Sequence, residues 1–475
     1  MGKVNGLSLP VFLSVMVMVS LALPVAAWGE SPNKDRAQGG TPVREKPSAG
    51  NAGAMAFSGP QPIEAGETLD LEKAVDIALK LNPAIQAATG TARANESLIG
   101  QAKSSYYPQG SLSVAQQQYS ITNHNIATTG QTGRFALSGL TTAASISQDI
   151  WDFGKTADNV RVQKYNFSSS EEDLQDVRES VVLQVKQAYY GLLGARRNLN
   201  VAGMVVDQFE QHLRQAIAFH TAGIKPRFDV TQAQVNLSNA KLNLIVARNA
   251  ADVALANLNN VMGVPRAPAY NVAESLAFSK YEITFPEALA RAYKNRPDLK
   301  SLLLREGSAR ESINLVKTGY YPTLSGAASY GYTGDRLPLD SYWTAGVTLS
   351  FPFFSGFQTK YQLIQARENL NVARANEQAL QQGIYLEVQT GYLNLKAAQD
   401  RVQTAQLTVQ QARENLDVAT GMYKYGVGSP LDVTDALTTF SGAETSYTAA
   451  LYDYKTAQAS LEKAMGLYSY GGAGR

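Results

Sequence analysis

From Leu71 to Lys103 the apolar positions Val75, Ala78, Leu79, Leu98 and Ala102 recur at helical spacing, and Pro83 marks an early break. Tyr106-Tyr107-Pro108 ends this helix, and the period then changes from about 3.6 to 2. Residues 109–121 alternate, with Leu112 and Val114 set against Ser111 and Ser113. The alternation returns at Ala144, Ile146, Gln148 and Ile150, after a stretch rich in Gly, Thr and Asn. This predicts a strand, a long loop and a second strand. A later pair is clearer: Trp343, Ala345, Val347, Leu349, Phe351 and Phe353 share one face, while Tyr342, Thr344, Gly346 and Thr348 share the other.

Proline is absent from Gln109 through Lys225 and again from Phe353 through Ser429. Ala, Gln, Leu, Lys, Arg and Glu dominate the segments after the strands, and Leu174, Val177, Val181, Val185, Ala188 and Leu192 step by three and four, which predicts helix. Unbroken from Lys155 to Thr221, such a helix would reach about 100 Å at ~1.5 Å per residue, more than a globular domain needs. Gly223-Ile224-Lys225-Pro226-Arg227 and Gly426-Val427-Gly428-Ser429-Pro430 hold the Gly and Pro that stop a helix and turn the chain back. Each return then runs as helix, to Met262 and to Met465.

The chain is written twice. A shift of 214 carries Ala74, Ala78, Lys80 and Pro83 onto Ala288, Ala292, Lys294 and Pro297, and Tyr106-Tyr107-Pro108 onto Tyr320-Tyr321-Pro322. Further along the shift is 203, taking Leu183, Val185, Tyr189, Leu192 and Ala195 onto Leu386, Val388, Tyr392, Leu395 and Ala398, and Gly223 and Asp229-Val230-Thr231 onto Gly426 and Asp432-Val433-Thr434. The difference of 11 residues falls between Pro108 and about Thr156. One unit is thus helix, β-hairpin, long helix, tight turn and returning helix. The boundaries read as a first repeat over 68–264, a linker over 265–281, a second repeat over 282–467 and a tail over 468–475.

Two hairpins give four strands per chain, too few to close a barrel, and an open edge in lipid leaves backbone groups unpaired at several kcal/mol each. Closure by identical copies is the economical solution, and three would give twelve strands, an even number within the usual barrel range. The predicted strands have about the 9–11 residues that a tilted crossing takes. Apart from the N-terminus, no segment approaches the ~18 consecutive apolar residues of a spanning helix.

Met1-Gly2-Lys3, an apolar run from Leu7 to Leu23 and Pro24-Val25-Ala26-Ala27 before Trp28 have the order of a secretory signal peptide over 1–27, so export is expected. Residues 28–67, rich in Pro, Gly, Ser and charge, read as an unstructured leader. The balance of 42 basic and 40 acidic residues offers no patch for nucleic acid, and the absence of cysteine excludes disulfides and thiolate chemistry. His124, His212 and His220 have no acidic or histidine neighbour at ligand spacing, so no metal site is expected. No nucleophile motif, phosphate loop or carboxylate pair in a compact domain points to an enzyme or to a cofactor. The alternative is a periplasmic adaptor, which would show one helical hairpin flanked by compact β-domains.

The combination of the duplication, a Tyr-Pro entry to each first strand, the exit Trp151-Asp152-Phe153-Gly154-Lys155 and tips of the form Gly-x-x-x-x-x-Asp-Val resembles the TolC family of outer-membrane factors, over Leu69 to Leu467. The resemblance implies a mainly α fold with transmembrane β: a trimeric, 12-stranded barrel in the outer membrane, continued by a helical periplasmic tunnel. Its partners would be a periplasmic adaptor, an inner-membrane transporter and outer-membrane lipid, and its function the exit of a tripartite efflux or type I secretion system. Carried over by position, Tyr423 matches a tyrosine that hydrogen-bonds an aspartate on the neighbouring hairpin, and Asp229 stands at that aspartate. A second family link uses an arginine and a threonine where this chain has Gly428 and Phe228, so that link is absent, with Lys225 and Arg227 as candidate substitutes. Asp432 and Asp435 match an acidic ring at the tunnel entrance. The other reading of this pair is that they cap and solvate the start of the returning helix. Tyr106, Tyr107, Tyr320, Tyr321, Trp151, Phe353 and Phe354 sit at helix–strand junctions, suited either to a membrane interface or to local packing. The ten residues of the two tips are the expected adaptor contacts.

Overall fold

The computed structural model describes residues 63–123, 133–274 and 276–468. The predicted signal peptide, the leader as far as residue 62, His124 and the tail from residue 469 lie outside the described residues.

A two-residue strand, β1 (Thr68–Leu69), leads into α1 (Leu71–Leu81), whose N-cap Asp70 accepts the Lys73 N–H at 2.7 Å. Pro83 cannot continue this helix and holds Asn82 extended. The Asn82 side chain then caps α2 (Pro83–Lys103) by accepting the Ala84 N–H at 2.8 Å. A 3-10 turn at Ser104–Tyr106 delivers the chain to β2 (Gln109–Asn123) and β3 (Gly133–Trp151). Next come α3 (Lys155–Thr221) and the returning α4 (Arg227–Met262). After β4 (Asn271–Val272), the same order recurs as α5 (Phe285–Asn295), α6 (Pro297–Lys317), β5 (Thr323–Gly334), β6 (Asp340–Ser350), α7 (Gln358–Lys424) and α8 (Pro430–Ala464). Leu71 corresponds to Phe285 and Pro83 to Pro297, 214 apart; Lys155 corresponds to Gln358 and Arg227 to Pro430, 203 apart. Both α3 and α7 have 67 residues.

The two hairpins join in one antiparallel sheet of order β2-β3-β5-β6, with Leu112 opposite Ala144, Ala144 opposite Tyr330 and Tyr330 opposite Trp343. The first hairpin departs from expectation. Its strands have 15 and 19 residues, against 12 and 11 in the second, so both strands of the first repeat are longer than their counterparts. Alternation continues through 133–143, where Gly, Ser and Thr disguise it as turn composition.

Two cores repeat each other. In the first, Ala74, Ala78, Val181, Val185, Leu192, Leu258 and Met262 pack together; in the second, Ala288, Ala292, Ile384, Val388, Leu395, Leu461 and Met465 do the same. The glycines that follow the returning helices, Gly263 and Gly466, have positive φ (77° and 66°), and a Cβ on either would lie within 3.0 Å of the backbone that joins α1 to α2 or α5 to α6.

The residues read as linker are packed. β4 pairs in parallel with β1, the Tyr189 hydroxyl donates to Ala273 O at 2.8 Å, and the Tyr454 hydroxyl accepts the Tyr281 N–H at 2.9 Å. The boundary of the leader also shifts: Ile63 is 1% exposed in the first core, and Gly66 N–H donates to Ala269 O at 2.9 Å. At the other end Tyr468, assigned to the tail, is buried and donates to Glu462 at 2.6 Å. The leader and the tail each supply a single buried side chain here, and the apolar residues of the linker, among them Tyr270, Val272, Leu276, Phe278 and Tyr281, follow no sustained helical period.

Candidate functional site

Both helical tips close in the same way. Gly223 and Gly426 take the left-handed conformation (φ 74° and 77°), and the N–H groups of the residues that follow them reach back five residues: Ile224 to Phe219 O at 2.9 Å, and Val427 to Met422 O at 3.0 Å. This leaves Ile224, Phe228, Tyr425, Val427 and Leu431 exposed at the ends of the hairpins. Each tip thus carries apolar side chains in an exposed patch rather than in a core.

Tyr423, in the last turn of α7, points inward instead and is 1% exposed. Its ring stacks on His212 of α3 with centroids 5.0 Å apart, and Phe219 meets it edge-on at 5.7 Å. The expected hydrogen bond to Asp229 is not formed, and the buried Tyr423 hydroxyl has no partner among the described residues. Asp229 is nevertheless close enough to act: burial first, and the Asp229 charge second, push the Tyr423 hydroxyl above its ordinary pKa. His212 and Phe219 were not among the sequence candidates for this site. The signal was available, because His212 lies in the buried stripe Phe209, His212, Ala216 of α3, where a histidine in place of an apolar residue calls for a reason.

Gly428 has a structural cause. The turn folds so tightly over the end of α7 that a Cβ here would lie 2.9 Å from Tyr423 N and 3.0 Å from Met422 Cβ. An arginine does not fit this turn. Lys225 and Arg227, the candidate substitutes, make no ion pair among the described residues.

Asp432 accepts the Ser429 N–H at 2.8 Å while the Ser429 hydroxyl accepts the Leu431 N–H at 3.0 Å, so one carboxylate of the acidic pair caps α8. Asp435, one turn on, is exposed. Capping occupies a single oxygen of Asp432 and leaves its charge in place.

At the opposite end of the long helices, Tyr106, Tyr107, Trp151, Tyr320, Tyr321, Phe353 and Phe354 are all exposed. Two more aromatics join them: Phe153 stacks on Tyr321 at 5.6 Å and contacts Trp151 edge-on at 6.0 Å, and Phe357 meets Phe354 at 5.7 Å. Phe153 and Phe357 both have positive φ (52° and 66°), which a bulky side chain adopts only when its surroundings impose it. Around Phe153 the restraint is Asp152, which accepts the Gly154 N–H at 3.0 Å and the Thr156 N–H at 2.7 Å and so fixes the start of α3.

The sheet registers sort the strand residues. Leu112, Val114, Ile146, Tyr330, Trp343, Val347 and Leu349 lie on one face and are exposed. Ser111, Ser113, Ser145, Ser147, Ser329, Thr344 and Thr348 lie on the other. An uncovered apolar face backed by a hydroxyl-rich one is the pattern of a barrel wall between lipid and a wet lumen. No helix among the described residues is long and apolar enough to cross a membrane.

A family model described as outer membrane efflux protein matches residues 74–264 and 288–467. The chain belongs to the outer membrane efflux protein family. Outer membrane protein TolC of Escherichia coli (strain K12) is 24% identical over 404 residues, covering 81% of this chain and 80% of TolC. Outer membrane efflux protein BepC of Brucella suis is 24% identical over 410 residues, covering 82% and 83%. The solved Campylobacter jejuni CmeC outer membrane channel has the same fold, with a TM-score of 0.71 at 21% identity over 90% of this chain and 94% of its own. The chain is an outer-membrane export channel, and the periplasmic adaptor reading is set aside. Members of this family are channels rather than enzymes.

Proposed function

We propose that three copies of this chain close a twelve-stranded barrel in the outer membrane and continue it as a helical tunnel through the periplasm, forming the exit duct of a tripartite efflux or type I secretion system. The carrying observation is the four-stranded sheet that ends in β2 and β6 with one apolar face. Two such edges cannot stay open in lipid, and pairing β6 of one copy with β2 of the next satisfies both. The aromatic side chains at the helix–strand junctions then mark the inner border of the membrane, and the exposed apolar tips meet a periplasmic adaptor that is itself joined to an inner-membrane transporter.

The tips are the gate in this reading. Tyr423 and Asp229 form the latch, a bond that is open in the single chain although the Asp229 charge already acts on the buried hydroxyl. Asp432 and Asp435 from three copies gather six carboxylates at the entrance, which favours cations. Recording in planar bilayers separates the two roles. Tyr423→Phe is expected to raise single-channel conductance, and adding Asp229→Ala should change it little further, because both remove one bond worth ~1 kcal/mol per copy. Asp432→Asn with Asp435→Asn preserves the cap, since an Asn oxygen also accepts the Ser429 N–H, and is expected to lower cation selectivity without widening the closed pore. Unchanged conductance in Tyr423→Phe together with an opened Asn variant would mean that latch and filter are assigned the wrong way round.

A further inference from the structure

We propose that His212 is a proton-operated member of this gate: neutral, it packs face-on against Tyr423 and holds the tips together, and on protonation it leaves the stack and the gate opens. The inference rests on the tips being the gate. His212 is 6% exposed, and neither ring nitrogen has a hydrogen-bond partner among the described residues. A neutral imidazole with two unpartnered nitrogens is tolerable against the Tyr423 ring, 5.0 Å away at 29°. An imidazolium in the same place has two buried N–H donors with no acceptor in hydrogen-bond reach among the described residues, and a charge that burial penalises.

Asp229 of α4 is the charged group that acts on His212, and it opposes the dominant effect of burial, so the histidine's pKa stays below its ordinary value. From α7 the facing titratable group is Tyr423 itself. Around the same turns, Glu210 of α3 is engaged by Lys241 of α4 at 3.2 Å and Asp432 of α8 by the Ser429 N–H, while Arg214 of α3, Lys424 of α7 and Asp435 of α8 are exposed. The closed gate therefore binds a proton at His212 less readily than an open gate, where the ring is hydrated. By linkage, falling pH favours the open form, in the window between the ordinary histidine pKa and the lower value held by burial. Asp229 acts on both His212 and the Tyr423 hydroxyl, so a charged ring competes with Tyr423 for the acceptor of the proposed latch.

The experiment is single-channel recording of the full-length channel carrying Asp432→Asn and Asp435→Asn, so that the entrance acids do not titrate. The pH runs from about 7.5 to about 5, a range that spans histidine and stays above ordinary carboxylates. Mean conductance is expected to rise roughly three-fold on acidification. His212→Phe, which keeps a ring in the stack without a titratable nitrogen, should abolish the rise, and His212→Gln, polar and without a proton to gain, should abolish it as well. A parent channel that is flat with pH, or a variant that retains the full rise, overturns the proposal. Tyr423→Phe recorded at the neutral end tests the latch separately: if its conductance is unchanged there while His212→Phe still removes the acid response, the hydrogen-bond latch fails and the histidine switch stands.

Discussion

Gly428 shows how one residue sets the options of the proposed gate. Resemblance alone identifies a missing arginine, and the geometry supplies the reason: the turn passes so close to Met422 and Tyr423 that a Cβ is excluded. Restoring the arginine should therefore not restore a link. Gly428→Arg is expected to displace the turn from Tyr423 and raise conductance in a planar bilayer, to at least the level of Tyr423→Phe. A lower conductance than the parent would show that the turn can yield and that a second link can form. Tyr423, Asp229 and Asp432 were candidates in the sequence only because the family resemblance carries them over by position at the tips. His212 and Phe219 were overlooked although the stripe that holds His212 was readable, because the ring it packs against, Tyr423, lies on another helix.

At the scale of elements, periodicity gave the long helices and the hairpins, since one buried face repeats over many turns. It fell short where local chemistry masks the pattern, as in β3, whose Gly- and Thr-rich start reads as a turn, and at Phe153 and Phe357, whose left-handed backbone has no signature in an aromatic residue. It was also blind to a polar junction where α3, α6, α7 and α8 meet. There Arg296, nearly buried, donates to Asp298 at 2.7 Å and to Glu387 at 2.6 Å, and Lys463 stands 3.7 Å from Asp176. Glu179 beside them is 1% exposed with one oxygen unpartnered, and burial, assisted by the Asp176 charge, pushes its carboxyl from 4.5 up to about 7. The folded state thus holds a proton that the unfolded chain releases above 4.5, so stability falls as pH rises from 4.5 to about 7 and levels off beyond. Glu179→Gln should remove that slope and stabilise the protein at neutral pH by on the order of 2 kcal/mol. Thermal unfolding in detergent across this window reads the effect, and an unchanged pH slope in the variant would place the titrating group elsewhere.

For the whole molecule, the repeat was legible from residue identities, because matched shifts of 214 and 203 require no structure. The proposed assembly follows from what one chain leaves undone: an apolar sheet face without cover and two strands without outer partners among the described residues. Nothing in one chain's periodicity states how many copies close the ring; that number comes from the four strands each contributes and the size of barrel they must complete. The chain has no cysteine, which makes engineered crosslinks clean. One cysteine is placed on β2, at Ser111 or Ser113, and one on β6, at Thr344 or Thr348, and the pairs are oxidised in the native outer membrane. A trimeric barrel predicts, for the pairs in register, bands at one, two and three chains and none above. Monomer alone for every pair, or a ladder that continues past three, would contradict it.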